Sequence, residues 1–534
     1  MDRDDLSAAI IQEMGAVFTA ALAEALPALL ADDLAGIEQR LRRVGRAVLG
    51  PVVERVMAAR AVDAGRGVCP ECAGLLRLVD RARPRHLHGL VGDYTLRRAY
   101  YRCAACERGQ APLDEALGLG TGSLAPGLAQ VVCREGVAQG SFEEAVESVA
   151  ASVGVAVTAE GARRATEGRG AVAEAEVQTA MARVARGQPA WTPVDAAVEA
   201  PDPASDVLAV EVDGVYVHRD DGWPEMKVVT GAPLGPGLEM DADTGRERLC
   251  WGRASYGAGC EEAQAFWGRA HVEAGRRGLG TPTVRTVVAL GDGAPWIWRH
   301  ARAFLALPGV AVVEIIDLYH AYEYLWSVGN AVFGERTPAA AAWVEPLKTR
   351  LYTEGVAPLH AALTTLAHTV CAPDPAEDAA TESAAVIAVR RALEYVTTNA
   401  ARLDYPAFIA RRLPIGSGAV ESGCKSLVQA RAKGAGMRWS GAGAQHVIAL
   451  RALRRSGRWD AFWQDQPQRT RLRLVPRRRQ PSTRASLPPP PVVPPLAPAA
   501  PPADAAPAPP PPRPLRPAAD HLWRRAPIGR PRSA

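Results

Sequence analysis

At 534 residues the chain is long enough for about two to four domains, each able to bury its own core. With 48% hydrophobic and 22% charged residues the composition is globular and excludes a low-complexity or collagen-like protein. The net charge of +4 conceals an asymmetry: residues 466–534 carry 13 Lys/Arg against 2 Asp/Glu and leave the remainder at −7, so nucleic-acid binding by the folded part has to come from local basic patches. The N-terminal MDRDDLSAAI is acidic where a secretory signal would be basic, and no apolar run reaches membrane-spanning length, so a cytoplasmic protein without membrane contact is expected. Nine cysteines, four of them in two CxxC pairs, fit a reducing compartment and a metal site better than a disulfide framework.

Residues 1–60 read as an N-terminal helical region, because Ile10, Ile11, Met14, Phe18, Leu22 and Leu26 recur at three- and four-residue steps and Ile37, Leu41, Val44 and Val48 continue the pattern. An ordinary packed helix is expected, with an assembly helix as the alternative. Across 61–115, Cys69-Pro-Glu-Cys72 and Cys103-Ala-Ala-Cys106 bracket an alternating segment from Tyr94 to Tyr101. Two such knuckles joined by short strands turn four sulfurs toward one ion, which predicts a zinc ribbon whose closed, structural Zn²⁺ is held by Cys69, Cys72, Cys103 and Cys106. His86 and His88 are read as loop residues, and Arg97, Arg98, Arg102 and Arg108 would bring positive charge to DNA phosphates.

Across 120–185 the pattern is helical again. Ser141 three residues before Glu144 makes a capping box for a helix to about Ser152, Gly154 breaks it, and a second helix from Thr158 carries Arg163 and Arg164. The spacing is that of a helix-turn-helix-like DNA-binding region, with Arg163 and Arg164 as groove contacts; a plain helical connector reads the same way. A Pro/Ala/Asp-rich linker fills 186–206.

The texture then changes to β-branched runs. Strands are predicted at 207–218, 226–230 and 248–256, a helix at 261–276, a strand at 283–290, a helix at 294–305 and a strand at 310–316. Three strands, helix, strand, helix, strand is the order of an α/β RNase H-like domain, spanning 205–465 with a helical insertion at about 321–412. From 466 to 534 the Pro/Arg-rich sequence cannot bury a core and is expected to be a disordered tail.

Asp213 lies in the first of these strands and Asp292 at the carboxyl end of the fourth, which are neighbours in such a sheet. In LPIGSGAVESGCKSLVQARAKGAGMRW, Gly416-Ser417-Gly418 offers a turn with Ser417 as N-cap, and Val420, Cys424, Leu427 and Val428 then share one helical face beside Glu421. Glu421 is the single acid there, followed by Lys425, Arg431, Lys433, Arg438, Arg451, Arg454, Arg455 and Arg458 before the next acid. Asp213, Asp292 and Glu421 together are candidate catalytic ligands for two Mg²⁺ (or Mn²⁺) ions about 3.5–4 Å apart, one activating the attacking oxygen and the other stabilising the leaving 3′-oxygen. Glu211 competes with Asp213, since two residues along a strand share a face, and Asp292 alternatively caps the helix that follows it.

Several segments carry a family resemblance: GDGAPWIW (residues 291–298), DLYH (317–320), PIGSGAVESGCK (414–425) and GMRWSGAGA (436–444). They resemble those of bacterial insertion-sequence DDE transposases, most closely the ISKra-four family, over roughly residues 60–465. DLYH also resembles the (C/D)xxH signature of Mutator-like transposases. The resemblance implies Asp213, Asp292 and Glu421 as metal ligands and places Asp317 and His320 at the active-site edge, where Lys425, Arg431, Lys433, Arg438 and Trp439 would hold the DNA strand near the cut. It further implies a nucleoid-associated transposase that cleaves double-stranded DNA at terminal inverted repeats and joins the 3′-OH to target DNA, working as a homo-oligomer. A nuclease without strand transfer and a non-catalytic DNA-binding regulator are the alternatives. The long Pro/Arg-rich tail departs from the family pattern.

Overall fold

The computed structural model of the protein describes residues 3–59, 69, 71–120, 122–191, 205–241, 245–370 and 383–464; the expected tail, most of the linker and residues 371–382 of the insertion lie outside the described residues. The helical N-terminal region consists of two helices, Arg3–Leu29 and Leu34–Ala59, joined by an ion pair between Arg55 and Glu13 at 2.6 Å. The sequence-based expectation needs correction here. Ser7–Leu29 is long and apolar enough, by length and composition, to cross a membrane, with Glu13 and Glu24 as its acids. Its apolar stripe is also largely uncovered: Met14 is buried, whereas Ile11, Phe18 and Leu26 are exposed.

Strands β1 (Leu76–Gly89) and β2 (Gly92–Cys103) form an antiparallel hairpin, and β3 (Gly109–Gln110) pairs with the end of β2. The hairpin strands are 14 and 12 residues long rather than short, because Leu87 and Leu96 near its tip pack with Leu119 and Ala125 into a core of their own at the end away from the cysteines.

Three helices follow: Pro126–Ala138, Phe142–Val153 and Ala159–Val184, packed around Leu128, Val132, Val149, Val155 and Ala162. Ser141 accepts from the Glu144 amide at 3.1 Å, and Glu144 in turn accepts from the Gly140 amide at 2.9 Å, one residue before the expected reciprocal donor. Gly154 ends the middle helix in the left-handed region at φ 68°. The helix after the turn is not short; it runs 26 residues because its apolar side continues through Val172, Ala173 and Ala180. It lies against the helix Gly441–Arg455 so closely that a Cβ at Gly170 would overlap the His446 carbonyl, which only glycine avoids.

The second sheet has six strands: β4 (Val207–Tyr216), β5 (Glu225–Met240), β6 (Glu247–Trp251), β7 (Ser255–Gly259), β8 (Thr286–Gly291) and β9 (Ala311–Ile316). Its order is β6-β5-β4-β8-β9, with β7 also on β5; β4, β8 and β9 are mutually parallel and the contacts of β5 are antiparallel. The expected third strand divides into β6 and β7. The Gly252 amide donates to Pro233 at 2.9 Å and the β5–β6 register shifts between Leu234 and Leu238, so the two pieces pair with different stretches of a long β5.

Both faces of the sheet are covered, which is why β4 and β8 read as continuous apolar runs. On one face Leu208, Val210, Val212, Val287 and Ala289 pack under the helices Ala263–Gly275 and Pro295–Leu305, where fully buried Phe266 and Trp267 each contribute about 2–3 kcal/mol. On the other face Val215, Met226 and Val228 meet Val420, Leu427, Val428 and Val447. Val288 and Leu290 meet the helices inserted after β9: Leu318–Phe333, Pro338–Glu354, Val356–Val370, Ala384–Thr398 and Tyr405–Ala410.

Candidate active site and metal centre

The acidic residues arrive from three elements. β4 and β8 run parallel with Glu211 opposite Leu290 and Val212 opposite Gly291, so continuing the register by one residue sets Asp213 opposite Asp292. Each aspartate accepts a backbone amide close by in sequence: Gly214 to Asp213 at 2.6 Å, and Ala294 to Asp292 at 2.8 Å. Asp292 is not the N-cap expected as the alternative: the cap of the helix Pro295–Leu305 is Ala294, without a side-chain cap, and Asp292 braces the turn before it. Trp298 donates to the Asp292 carbonyl at 3.1 Å, and Trp296 packs edge-on to Phe266, so both indoles fix the β8–helix turn.

Glu421 lies on the short helix Gly418–Gly423, which passes into a π-helical turn, Cys424–Gln429. Val420, Cys424, Leu427 and Val428 are buried as expected, but the Ser417 hydroxyl does not cap. Two carboxylates distant in sequence do so: Asp317 accepts from the Ser417 amide at 2.5 Å, and Glu211 from the Val420 amide at 2.8 Å. Orphan amides at a helix start need acceptors, which a carboxyl oxygen supplies in either protonation state, so the pair fixes where this helix begins. Cys424 then donates its thiol to Asp213 at 3.3 Å, tying the helix to the same sheet face as the aspartate.

Charge is crowded here. Burial, then the neighbouring Asp292, raises the Asp213 carboxyl above its ordinary range. Burial raises Glu421, with Asp317 and Asp213 adding to it against Lys425. Glu225 on β5 is raised by burial and also by Asp292 and Asp213; its carboxylate occupies the space that a Cβ on Gly214 would need. Glycine at 214 therefore leaves room for the Glu225 carboxylate beside Lys227, which no spacing rule in the sequence marked. Carboxylate oxygens are the donor type that a hard divalent cation takes, but Asp213, Asp292 and Glu421 do not gather into a metal-type cluster in this structure. Their oxygens are spread more loosely than the cysteine sulfurs, which are the only metal-type cluster among the described residues.

Asp317 is 3% exposed and also caps its own helix through the His320 amide at 2.7 Å. His320 Nδ1 lies 3.5 Å from a Glu323 carboxylate oxygen, and its ring is edge-on to Tyr324. Lys425 pairs with Glu421 at 3.7 Å and Lys433 is exposed.

Arg431 is placed otherwise than expected. It is 1% exposed, donates to the Gly136 and Gly140 carbonyls at 2.9 and 3.3 Å, and lies between the Phe142 and Trp439 rings. It closes the end of the helix Pro126–Ala138 instead of facing a ligand. Trp439 is buried with it, and Arg438 pairs with Asp220 at 3.0 Å. Arg451 spends its guanidinium on the Ser426 and Val137 carbonyls, and Arg458 on Glu273 at 3.3 Å. Much of the positive charge after Glu421 is therefore structural. Arg163 and Arg164 both pair with Glu160 of their own helix, and Arg163 also with Glu167.

The four cysteines form the second centre. Sγ atoms of Cys69 and Cys106 are 3.8 Å apart, and those of Cys72 and Cys103 are 3.5 Å apart. A tetrahedral tetrathiolate with Zn–S of about 2.3 Å requires S···S of about 3.8 Å, so the cluster is compatible with a closed zinc site. Amides of Cys106 and Ala105 point at the Cys103 sulfur, and that of Cys106 foremost brings its thiol down to about 6. His86 bonds Thr95 and His88 pairs with Asp93, away from the sulfurs, while Arg98, Arg102 and Arg108 pair with Asp114, Glu107 and Glu71. Elemental analysis of the purified protein should return one zinc per chain, falling to near zero with Cys103→Ser; a metal content unchanged by that substitution would refute the assignment. No protein-family model matches the chain, and no curated protein matches it.

Proposed function

We propose that the chain is an RNase H-like, metal-dependent DNA transposase of the insertion-sequence DDE type. The observation that supports this reading most is the β4–β8 register, which continued by one residue sets Asp213 beside Asp292, together with the Cys424 thiol that donates to Asp213 from the turn after the Glu421 helix. The strand order third-second-first-fourth-fifth, with only the second strand antiparallel, supports the RNase H-like assignment. So does a helical segment inserted between the last strand and the Glu421 helix.

In this reading Asp213, Asp292 and Glu421 would hold two Mg²⁺ ions, which would supply charge stabilisation for an in-line phosphodiester displacement. The chain's own residues set the geometry. Glu211 and Asp317 hold the start of the Glu421 helix, and Cys424 orients Asp213. Glu421 would exchange Lys425 for the cation. The zinc ribbon and the three-helix region would bind terminal repeats, and two ends would be brought together by a homo-oligomer.

The test is incubation of the full chain with Mg²⁺ and a duplex carrying the ends of its element, with a second duplex as target. Cut and joined products are expected. Cut ends without joined product would replace strand transfer by plain nuclease activity, and binding without any cut would reduce the protein to a DNA-binding regulator.

A further inference from the structure

The two N-terminal helices pack on each other and leave a broad apolar face that nothing among the described residues covers. Buried Met14 on Arg3–Leu29 and Val44 on Leu34–Ala59 mark the lines along which the helices meet. At about 100° per residue, each helix carries a second apolar line a quarter turn further round, in the same rotational sense. On the first helix it runs through Ile11, Gly15, Phe18, Leu22 and Leu26. On the second it runs through Leu34, Leu41, Gly45, Leu49 and Val56, with Glu38 as the one charge that interrupts it. The short turn between the helices and the Glu13–Arg55 pair at their far ends make them antiparallel. In an antiparallel pair equal offsets fall on the same side, so the two lines form one face. Ile11 is 69% exposed and Leu34 73%, and Phe18, Leu26, Leu41, Leu49 and Val56 are exposed with them. The rest of the chain meets the second helix on its other flank, where Arg42 and Arg46 each donate at 2.7 Å to the Ser152 and Leu90 carbonyls.

The glycines in these lines point to what covers the face. Gly15 and Gly45 lie inside their helices, and a Cβ on either would meet nothing within 4 Å. Glycine in a helix interior is less stable than alanine, and the space within the chain does not require it here. Close approach of another backbone does. Charge then selects the occupant. Arg3–Leu29 holds four acids and one arginine, whereas Leu34–Ala59 holds five arginines and two glutamates. Two copies laid face to face, each acidic helix on the partner's basic one, alternate in charge around a four-helix bundle whose centre the apolar lines fill. A bilayer fits less well, since Glu13 and Glu24 interrupt the first helix and the second carries seven charged residues. The area also suffices: from Ile11 to Leu29 the face is about 27 Å long and about 20 Å wide, so a pair buries about 1,100 Å², above the ~1,000 Å² that a specific interface requires.

We propose that this face is a dimer interface that takes a second copy of the chain and closes a four-helix bundle. The dimer does not rest on the reading of the chain as a DNA-cutting enzyme, but it gives that reading a contact through which two copies are joined.

The experiment is sedimentation velocity of the full chain at micromolar concentration, free of nucleic acid and divalent cations. The wild type is expected at twice the chain mass of 56.6 kDa. Ile11→Glu/Phe18→Glu/Leu41→Glu is expected to sediment as a monomer, with association weakened about a hundredfold or more, because each glutamate would be buried without a partner in the dimer. Its melting temperature measured at monomeric dilution should match that of the wild type, since the three side chains are exposed in the single chain. Should the triple variant fold poorly, Phe18→Glu alone carries the test, with association at least about tenfold weaker. A monomeric wild type, or a dimer undiminished in the folded glutamate variants, overturns the interface. Wild type that stays monomeric in solution but floats with vesicles of phosphatidylcholine and phosphatidylglycerol gives the face to a membrane and overturns the dimer as well. A dimer broken by the glutamates in a protein that never cuts DNA overturns the enzymatic reading and leaves the interface standing.

Discussion

Asp213→Asn, Asp292→Asn and Glu421→Gln each lower Mg²⁺-dependent strand scission by about a thousandfold or more, or ~4 kcal/mol of transition-state stabilisation at 1.36 kcal/mol per factor of ten. The substitutions remove charge and keep shape. An asparagine Oδ1 still accepts from the Gly214 or Ala294 amide, so the strand ends and the turn before the helix Pro295–Leu305 are preserved. Glu421 makes a 3.7 Å pair with Lys425 at a half-exposed site, a contact worth little to stability. Melting temperatures should therefore stay near wild type while activity disappears. The same duplexes should still be bound, because the contacts proposed for DNA lie on other residues. Glu225→Gln is expected to cost less, since Glu225 shares its charge with Lys227 at 3.6 Å. Retention of scission in all three main variants would remove the enzymatic proposal.

The sequence carried the parts of this site that depend on periodicity. β-branched runs marked the strands, and their order was enough to set Asp213 beside Asp292, a placement the β4–β8 register bears on directly. The buried face Val420, Cys424, Leu427 and Val428 was visible as a helical spacing, and the four cysteines as paired knuckles. What periodicity does not encode is which partner a polar group finds across the fold. Arg431 looks like any arginine in a basic stretch, yet it is buried against carbonyls nearly three hundred residues earlier in the chain. Local capping predicts the adjacent Ser417 as the cap of the Glu421 helix, whereas Glu211 and Asp317 reach it from β4 and from the end of β9. Glu225 carries no sequence signal, because its position depends on the absence of a side chain at Gly214, on the neighbouring strand. Helix and strand lengths failed for a related reason: the helix Ala159–Val184 extends as far as the partner helix it lies against, and the strand expected at 248–256 divides where β5 bends.

Glu211 supplies the second large effect, and its sign follows from burial. The carboxyl is fully buried; burial foremost, with Asp317 adding to it, pushes it up to about 8 from an ordinary 4.5, despite the Val420 and Ala419 amides that favour its charge. One oxygen accepts from Val420 at 2.8 Å and the other has no hydrogen-bond partner. Because the folded value lies above the unfolded one, the native chain keeps a proton between about pH 4.5 and 8 that the unfolded chain has released. This contribution to stability is therefore fully present below pH 4.5 and is lost as pH rises to about 8, at up to ~1.4 kcal/mol per pH unit. Glu211→Gln retains a carbonyl oxygen for the Val420 amide and cannot ionise. Without divalent cations, the variant should gain on wild type in melting temperature steadily from pH 5 to pH 8, with the titrations of all other groups cancelling in the comparison. Glu211→Leu should behave oppositely. It leaves the Val420 and Ala419 amides without their acceptor at a cost of about 1–3 kcal/mol, and it frees the helix that positions Glu421, so cleavage should fall even where the protein remains folded. A constant difference between wild type and Glu211→Gln across that pH range would show that Glu211 does not titrate there. Full cleavage by a folded Glu211→Leu protein would show that it does not position Glu421.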